Sequence, residues 1–104
     1  MPTTKSLDIC VLPGDGIGVE VIAATVPLIE QAVKGAAVDF RFHEHPAGAQ
    51  HYRASGQALP QATLEAARQA DAILFGAMGW AAIRYPHGTE MAPQLDLRVA
   101  LELY

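Results

Sequence analysis

The sequence has little cysteine, little charge and no long apolar run, and each shortage removes a class of answers. One cysteine among 104 residues excludes an intrachain disulfide framework. Its place as Cys10 within the apolar run Leu7 to Leu12 reads as a buried, reduced thiol. Only 17% of the residues are charged, with a formal net charge of -4. The few Lys and Arg are scattered, so there is no basic stripe to neutralise a phosphate backbone, and nucleic acid is not an expected partner. No stretch approaches the roughly 18 apolar residues of a membrane span, and Met1 to Asp8 carry neither the apolar core nor the cleavage site of a signal peptide. The expectation is a soluble cytoplasmic protein in a reducing compartment.

What is abundant is apolar surface, at 51% of residues, which is too much for a disordered chain. A domain of this size buries only roughly 60 to 65 per cent of the surface its unfolded chain exposes. Some apolar surface is therefore expected to meet a partner. With no repeat, low-complexity tract or linker, residues 1–104 read as one unit without an internal boundary.

Local patterns alternate between strand and helix. Leu7 to Leu12 is a short apolar run stopped by Pro13 and Gly14, as in a strand covered on both faces. Val19, Ile22, Val26, Ile29 and Val33 then draw one helical stripe, kinked at Pro27 and stopped by Gly35. Val38, Phe40 and Phe42 alternate with polar residues, predicting a second strand with one wet face near an edge. A short helix is expected around Gln50 to Ala54, and a longer one from Pro60, as first helical residue, to Ala70. Ala72 to Phe75 predicts a third strand, parallel to the first, neighbouring it and again covered on both faces. Gly76 to Met91 reads as a long functional loop. Pro93 opens a last helix that the pattern carries to Tyr104, with Leu97, Leu101 and Tyr104 on one face. No cap follows, which reads as a chain cut short. The fold class expected is α/β, a mostly parallel sheet flanked by helices.

The loop Pro13, Gly14, Asp15, Gly16, Ile17, Gly18 sits between a strand and a helix, where glycines bring backbone N-H groups and the positive helix end towards a ligand. A dinucleotide fingerprint fails because Val19 stands where its third glycine belongs, and a P-loop fails for want of Gly-Lys-Ser/Thr. A tight turn with Asp15 as local cap or turn former is the alternative that needs no ligand.

The full string Val11, Leu12, Pro13, Gly14, Asp15, Gly16, Ile17, Gly18, followed by Glu20 and Val21, resembles the opening of the isopropylmalate, isocitrate and tartrate dehydrogenases. Ala72 to Gly76 with Gly79, and then Leu95 to Arg98, follow in that family's order. The resemblance implies an N-terminal fragment of the large domain, not a Rossmann unit. The activity it implies for the complete enzyme is oxidation of a 2-hydroxy diacid of isopropylmalate or tartrate/malate type by hydride transfer to NAD or NADP. Decarboxylation with Mg or Mn follows, in a homodimer. The metal ligands and proton-transfer residues are expected outside this chain, so none is assigned here and the chain alone is expected to be inactive.

By the same resemblance, Gly14, Gly16, Ile17, Gly18 and Gly79 border the cofactor, and Glu90 stands for the acid directed at the nicotinamide ribose. Arg98 stands for a substrate-carboxylate arginine, a role that suits its rigid fork of donors. The alternative for Arg98 is a surface pair with Glu102. Gln94, one turn earlier, is expected to face the same pocket. Relatives that take isopropylmalate tend to have leucine there, and an amide favours a more polar substrate. His43 and His45 share one side of a strand, but the four histidines otherwise lack metal-ligand spacing. Trp80 and Tyr85 are either cofactor-loop aromatics or ordinary packing. The functional alternative is a non-catalytic module that binds a small molecule or partner on this framework.

Overall fold

Three parallel strands carry the architecture, described by a computed structural model for residues 5–103. Strand β1 (Lys5–Leu12) leads through helix α1 (Ile17–Ala32) to strand β2 (Val38–Glu44). Helices α2 (Ala49–Ser55) and α3 (Gln61–Gln69) precede strand β3 (Ala72–Phe75), and helix α4 (Pro93–Ala100) follows it. The sheet order is β2-β1-β3. Lys5 pairs with Val38 at one end of the β1/β2 ladder, and Leu12 pairs with Phe75 at the end of the β1/β3 ladder.

Because successive side chains of a strand point to opposite faces, β1 feeds two cores. Ile9 and Val11 pack with Ile22 of α1, joined by Leu7, Phe40, Phe42 and Leu74. Cys10 and Leu12 pack on the other side with Ala67 of α3 and Leu97 of α4. The result is three layers, α1 against one face of the sheet and α3 with α4 against the other. A third cluster, Ala49, Ala58, Ile83 and Met91, anchors the segment after β3 onto α2. The long loop is therefore pinned midway at Ile83 and at its end by Met91 rather than loosely draped.

Helix α1 runs as one element through Pro27 and is not split there; three other local expectations need correction. Pro27 and Ala23 are both exposed, so the carbonyl that loses its partner faces water, where the loss is tolerable. Pro60 is the N-cap of α3, extended at ψ 148°, not its first helical residue. Strand β3 is not covered on both faces: Ala72 and Phe75 are exposed and the strand lies at the sheet edge. A continuous apolar run reports burial in the finished assembly, and a four-residue edge strand within this chain does not achieve it.

The last helix stops at Ala100 rather than continuing. Glu102 adopts φ 55°, the N-H of Leu103 donates to the Arg98 carbonyl at 2.8 Å, and that of Glu102 to the Val99 carbonyl at 3.2 Å. This is a Schellman cap with glutamate where glycine is usual, so the composition carried no stop signal. Leu97 takes the inward face as expected, and Tyr104 lies outside the described residues.

Cys10 is 1% exposed, and burial pushes its thiol above the ordinary range. Since the thiolate is the reactive form, thiol–disulfide exchange in the folded chain should run on the order of 100-fold or more slower than for a free thiol, and should accelerate with unfolding. Ellman's reagent followed across a urea gradient checks this; prompt labelling in buffer would place Cys10 outside the core.

Candidate functional site

The order β2-β1-β3 creates a topological switch point. The chain leaves the carboxyl end of β1 towards α1 on one face, and leaves the same end of β3 towards α4 on the other. Open parallel sheets bind ligands in the crevice where such loops diverge. Here the two loops are Pro13 to Gly16 and Gly76 to Gly79.

These loops are laced together by backbone. Gly76 N-H donates to the Leu12 carbonyl at 2.8 Å, and Asp15 N-H to the Ala77 carbonyl at 2.9 Å. Gly18 permits the approach: a Cβ there would sit 2.5 Å from the carbonyl oxygens of both Ala77 and Pro13. That contact leaves no room for any side chain, so this glycine of the motif serves packing between the loops.

Asp15 is the main surprise. It is 4% exposed, and its carboxylate accepts three backbone N-H bonds from two distant segments. Oδ2 accepts from Ala49 at 2.8 Å and from Gly79 at 2.7 Å, and Oδ1 accepts from Gln50 at 2.8 Å. It does not cap its own helix. It caps α2, whose N-cap Gly48 offers no side chain, and it also holds the loop after β3 at Gly79. The sequence hinted at this only through an acid between two glycines, because its partners lie 34 to 64 residues on.

The expected cofactor-border residues thus assemble in part. Gly14, Gly16, Ile17, Gly18 and Gly79 all sit at the switch point, joined through Asp15 and Ala77. Ile17 stands 68% exposed there. The benzo edge of Trp80 lies over Gly16, where a Cβ would be 3.2 Å from Cζ3. Glu90 forms an antiparallel bridge with Arg84, and its carboxylate lies 3.9 Å from that guanidinium.

Gln94 and Arg98 occupy successive turns of α4. The Oε1 of Gln94 is buried with no hydrogen-bond partner. Arg98 is exposed, and among the described residues it makes no ion pair, so the surface pair with Glu102 does not form. The αL turn at Glu102 takes that residue off the helix path an i, i+4 pair requires. Arg98 borders a groove of about 720 Å³ along β3, with Ile73, Phe75 and Leu101, and Gln94 is not part of that lining.

Among the described residues, no group of three or more His, Cys, Asp or Glu is arranged to hold a metal ion. His43 Nε2 instead donates to the Asp8 carboxylate at 3.0 Å, with Arg41 at 3.2 Å from the same carboxylate. The hydrogen bond with His43, followed by the charge of Arg41, holds the Asp8 carboxyl below its usual range. The cluster is exposed, and its location on β1 and β2 keeps it away from the loop ends.

Asp15→Asn tests the carboxylate's role. An amide offers one acceptor oxygen in place of two, so at least one buried N-H is stranded at a cost of roughly 1 to 3 kcal/mol. A urea midpoint lowered accordingly, with faster hydrogen exchange at Gln50 or Gly79, is expected. Unchanged stability and exchange would show that the three bonds do not constrain the loops.

The sequence profile described as isocitrate/isopropylmalate dehydrogenase matches residues 8–104. The chain is 41% identical over 99 residues to the 3-isopropylmalate dehydrogenase of Moorella thermoacetica, covering 92% of this chain and 28% of that protein. It is 42% identical over 100 residues to the same enzyme of Ralstonia nicotianae, covering 92% and 26%. Among solved structures, a beta-decarboxylating dehydrogenase from Thermococcus kodakarensis superposes with a TM-score of 0.74 at 36% identity, over 94% of this chain and 27% of that one. The isocitrate dehydrogenase of Methylococcus capsulatus gives 0.75 at 30% identity, over 94% and 26%. The chain spans about a quarter of the length of these relatives. With its glycine loop at the switch point and its parallel β2-β1-β3 sheet, it belongs to the isocitrate/isopropylmalate dehydrogenase family, a family of decarboxylating dehydrogenases.

Proposed function

We propose that this chain is the N-terminal part of a large domain in a cytoplasmic, homodimeric enzyme that oxidises and decarboxylates a 2-hydroxy diacid. NAD or NADP, when bound, supplies the hydride acceptor, and Mg or Mn supplies a Lewis acid. The crevice fits a dinucleotide in two respects: the backbone at Gly16 is bare beneath Trp80, and Ile17 offers apolar surface beside it. The metal's ligands are assigned to other parts of the enzyme, as the family resemblance implies.

The observation that carries the substrate reading is the orphaned Oε1 of Gln94. A buried carbonyl oxygen without a donor costs roughly 1 to 3 kcal/mol, so the Gln94 side chain gains by turning out to meet a substrate hydroxyl or protonated group, a gain that an isopropyl group does not offer. This favours a tartrate or malate type of diacid over isopropylmalate. Arg98, uncommitted among the described residues, grips a carboxylate through two parallel hydrogen bonds. Asp15 keeps the loop bearing Gly79 against the glycine loop, so both borders of the cofactor site hold their positions before binding.

Metal-dependent reduction of NAD or NADP by the complete enzyme, assayed with malate, tartrate and isopropylmalate, tests the activity. Gln94→Leu should move kcat/KM towards isopropylmalate by roughly 5- to 150-fold relative to malate or tartrate. A parent enzyme that prefers isopropylmalate, with the variant unchanged in preference, would sink the polar-substrate reading.

Arg98→Lys separates carboxylate recognition from surface charge. It keeps the positive charge but lacks the fork, so loss of a bidentate contact should lower kcat/KM of the complete enzyme on the order of 30-fold to several thousand-fold, or about 2 to 5 kcal/mol. Turnover within a few-fold of the parent would remove Arg98 from the substrate site. The 104-residue chain itself should show no turnover with any of these diacids.

A further inference from the structure

We propose that Trp80 is the flat apolar wall against which a heteroaromatic ring of the nicotinamide dinucleotide stacks, an inference that rests on the dinucleotide reading of the crevice above. The backbone around Trp80 is held on both sides while its side chain is left partly wet. On one side Gly79 N-H is bonded to Asp15 Oδ2 at 2.7 Å. On the other, the Trp80 carbonyl accepts from Ile83 N-H at 2.9 Å, and Ile83 is buried in the cluster with Ala49, Ala58 and Met91.

The indole is thus positioned by its main chain, with 44% of the residue still exposed. Its benzo edge rests on Gly16, where φ is +50° and the absence of Cβ lets the ring settle at contact distance. Ile17, next in the chain, is also exposed. Two wet apolar side chains at a switch-point crevice, on backbone already satisfied by hydrogen bonds, need a flat apolar occupant more than a polar one. A base or nicotinamide ring supplies that, since stacking on an aromatic side chain makes few demands on ring identity.

The two ends of a dinucleotide share this chemistry, and the test tells them apart. Trp80 is the sole tryptophan of these 104 residues, and the difference in emission between the complete enzyme and its Trp80→Phe variant reports on this one side chain. Titration of both with NADH, AMP and nicotinamide mononucleotide, each followed by tryptophan emission and by equilibrium dialysis, reads occupancy and location together. The expected result is saturable quenching by NADH and by one of the two halves, which identifies the stacked ring. Trp80→Ala should weaken NADH binding roughly 5- to 150-fold, whereas Trp80→Phe, which keeps a ring, should stay within several-fold of the parent.

NADH binding that leaves Trp80 emission unchanged would overturn the proposal, as would equal affinity for the Trp80→Ala variant. Failure of all three ligands to bind saturably would also overturn it. The diacid reading is judged separately by turnover of the complete enzyme, so a Trp80 that does nothing leaves Gln94 and Arg98 untouched. Conversely, quenching by NADH alongside a complete enzyme that oxidises no diacid would retain the wall and remove the proposed reaction.

Discussion

One buried carboxylate organises the functional end of this protein. Asp15 gathers N-H groups from Ala49, Gln50 and Gly79, and so ties the loop after β1, the start of α2 and the loop after β3 into one body. Each of those backbone donors would otherwise face a buried environment without a partner, the costly condition for a peptide group. Even the neighbouring geometry depends on it: a Cβ on Gly48 would stand 2.7 Å from the Asp15 carboxylate. A seven-residue helix such as α2 is too short to be stable on its own, and it persists because it is capped from outside and packed by Ala49 and Tyr52.

From this tie follows the arrangement of the crevice. Gly79 is fixed by Asp15, and Trp80 is brought over Gly16. The loop beyond is held by Ile83 and Met91, with Tyr85 set edge-on to Tyr52 at 5.1 Å between centroids. A loop pinned in this way is already ordered, which lowers the cost of binding any ligand it meets. Opposite in character is the outer side of β3 and α4. There Phe75, Leu95, Val99 and Leu103 are exposed, and β3 is an edge strand. That apolar surface is in keeping with a chain that spans about a quarter of its relatives' length.

Strand and helix positions were legible wherever a residue's neighbours in sequence also decided its surroundings. The runs Leu7 to Leu12 and Ala72 to Phe75 marked two adjacent parallel strands, and the alternation of Val38, Phe40 and Phe42 marked an edge strand half buried on one face. The end of α4 was not legible, because Glu102 enters αL without the glycine that usually announces it. Arg98 and Glu102 looked like a helical pair for the same reason. The exposure of Phe75 escaped too, since an apolar run records what a strand is suited to pack against, and not whether that cover lies within the same 104 residues.

For the site, sequence by itself determined the family and the glycine loop between a strand and a helix, because those depend on residue identity at short spacing. Only the tertiary structure decided that Asp15 caps α2 rather than its own turn, that Glu90 meets Arg84, and that Gln94 keeps a buried oxygen without a donor. Each of these turns on a polar group's partner or its absence, and hydrogen bonds form between atoms that the fold brings within about 3 Å, whatever their distance along the chain. A sequence displays which groups need partners; the closing of β3 beside β1 settles which ones they receive.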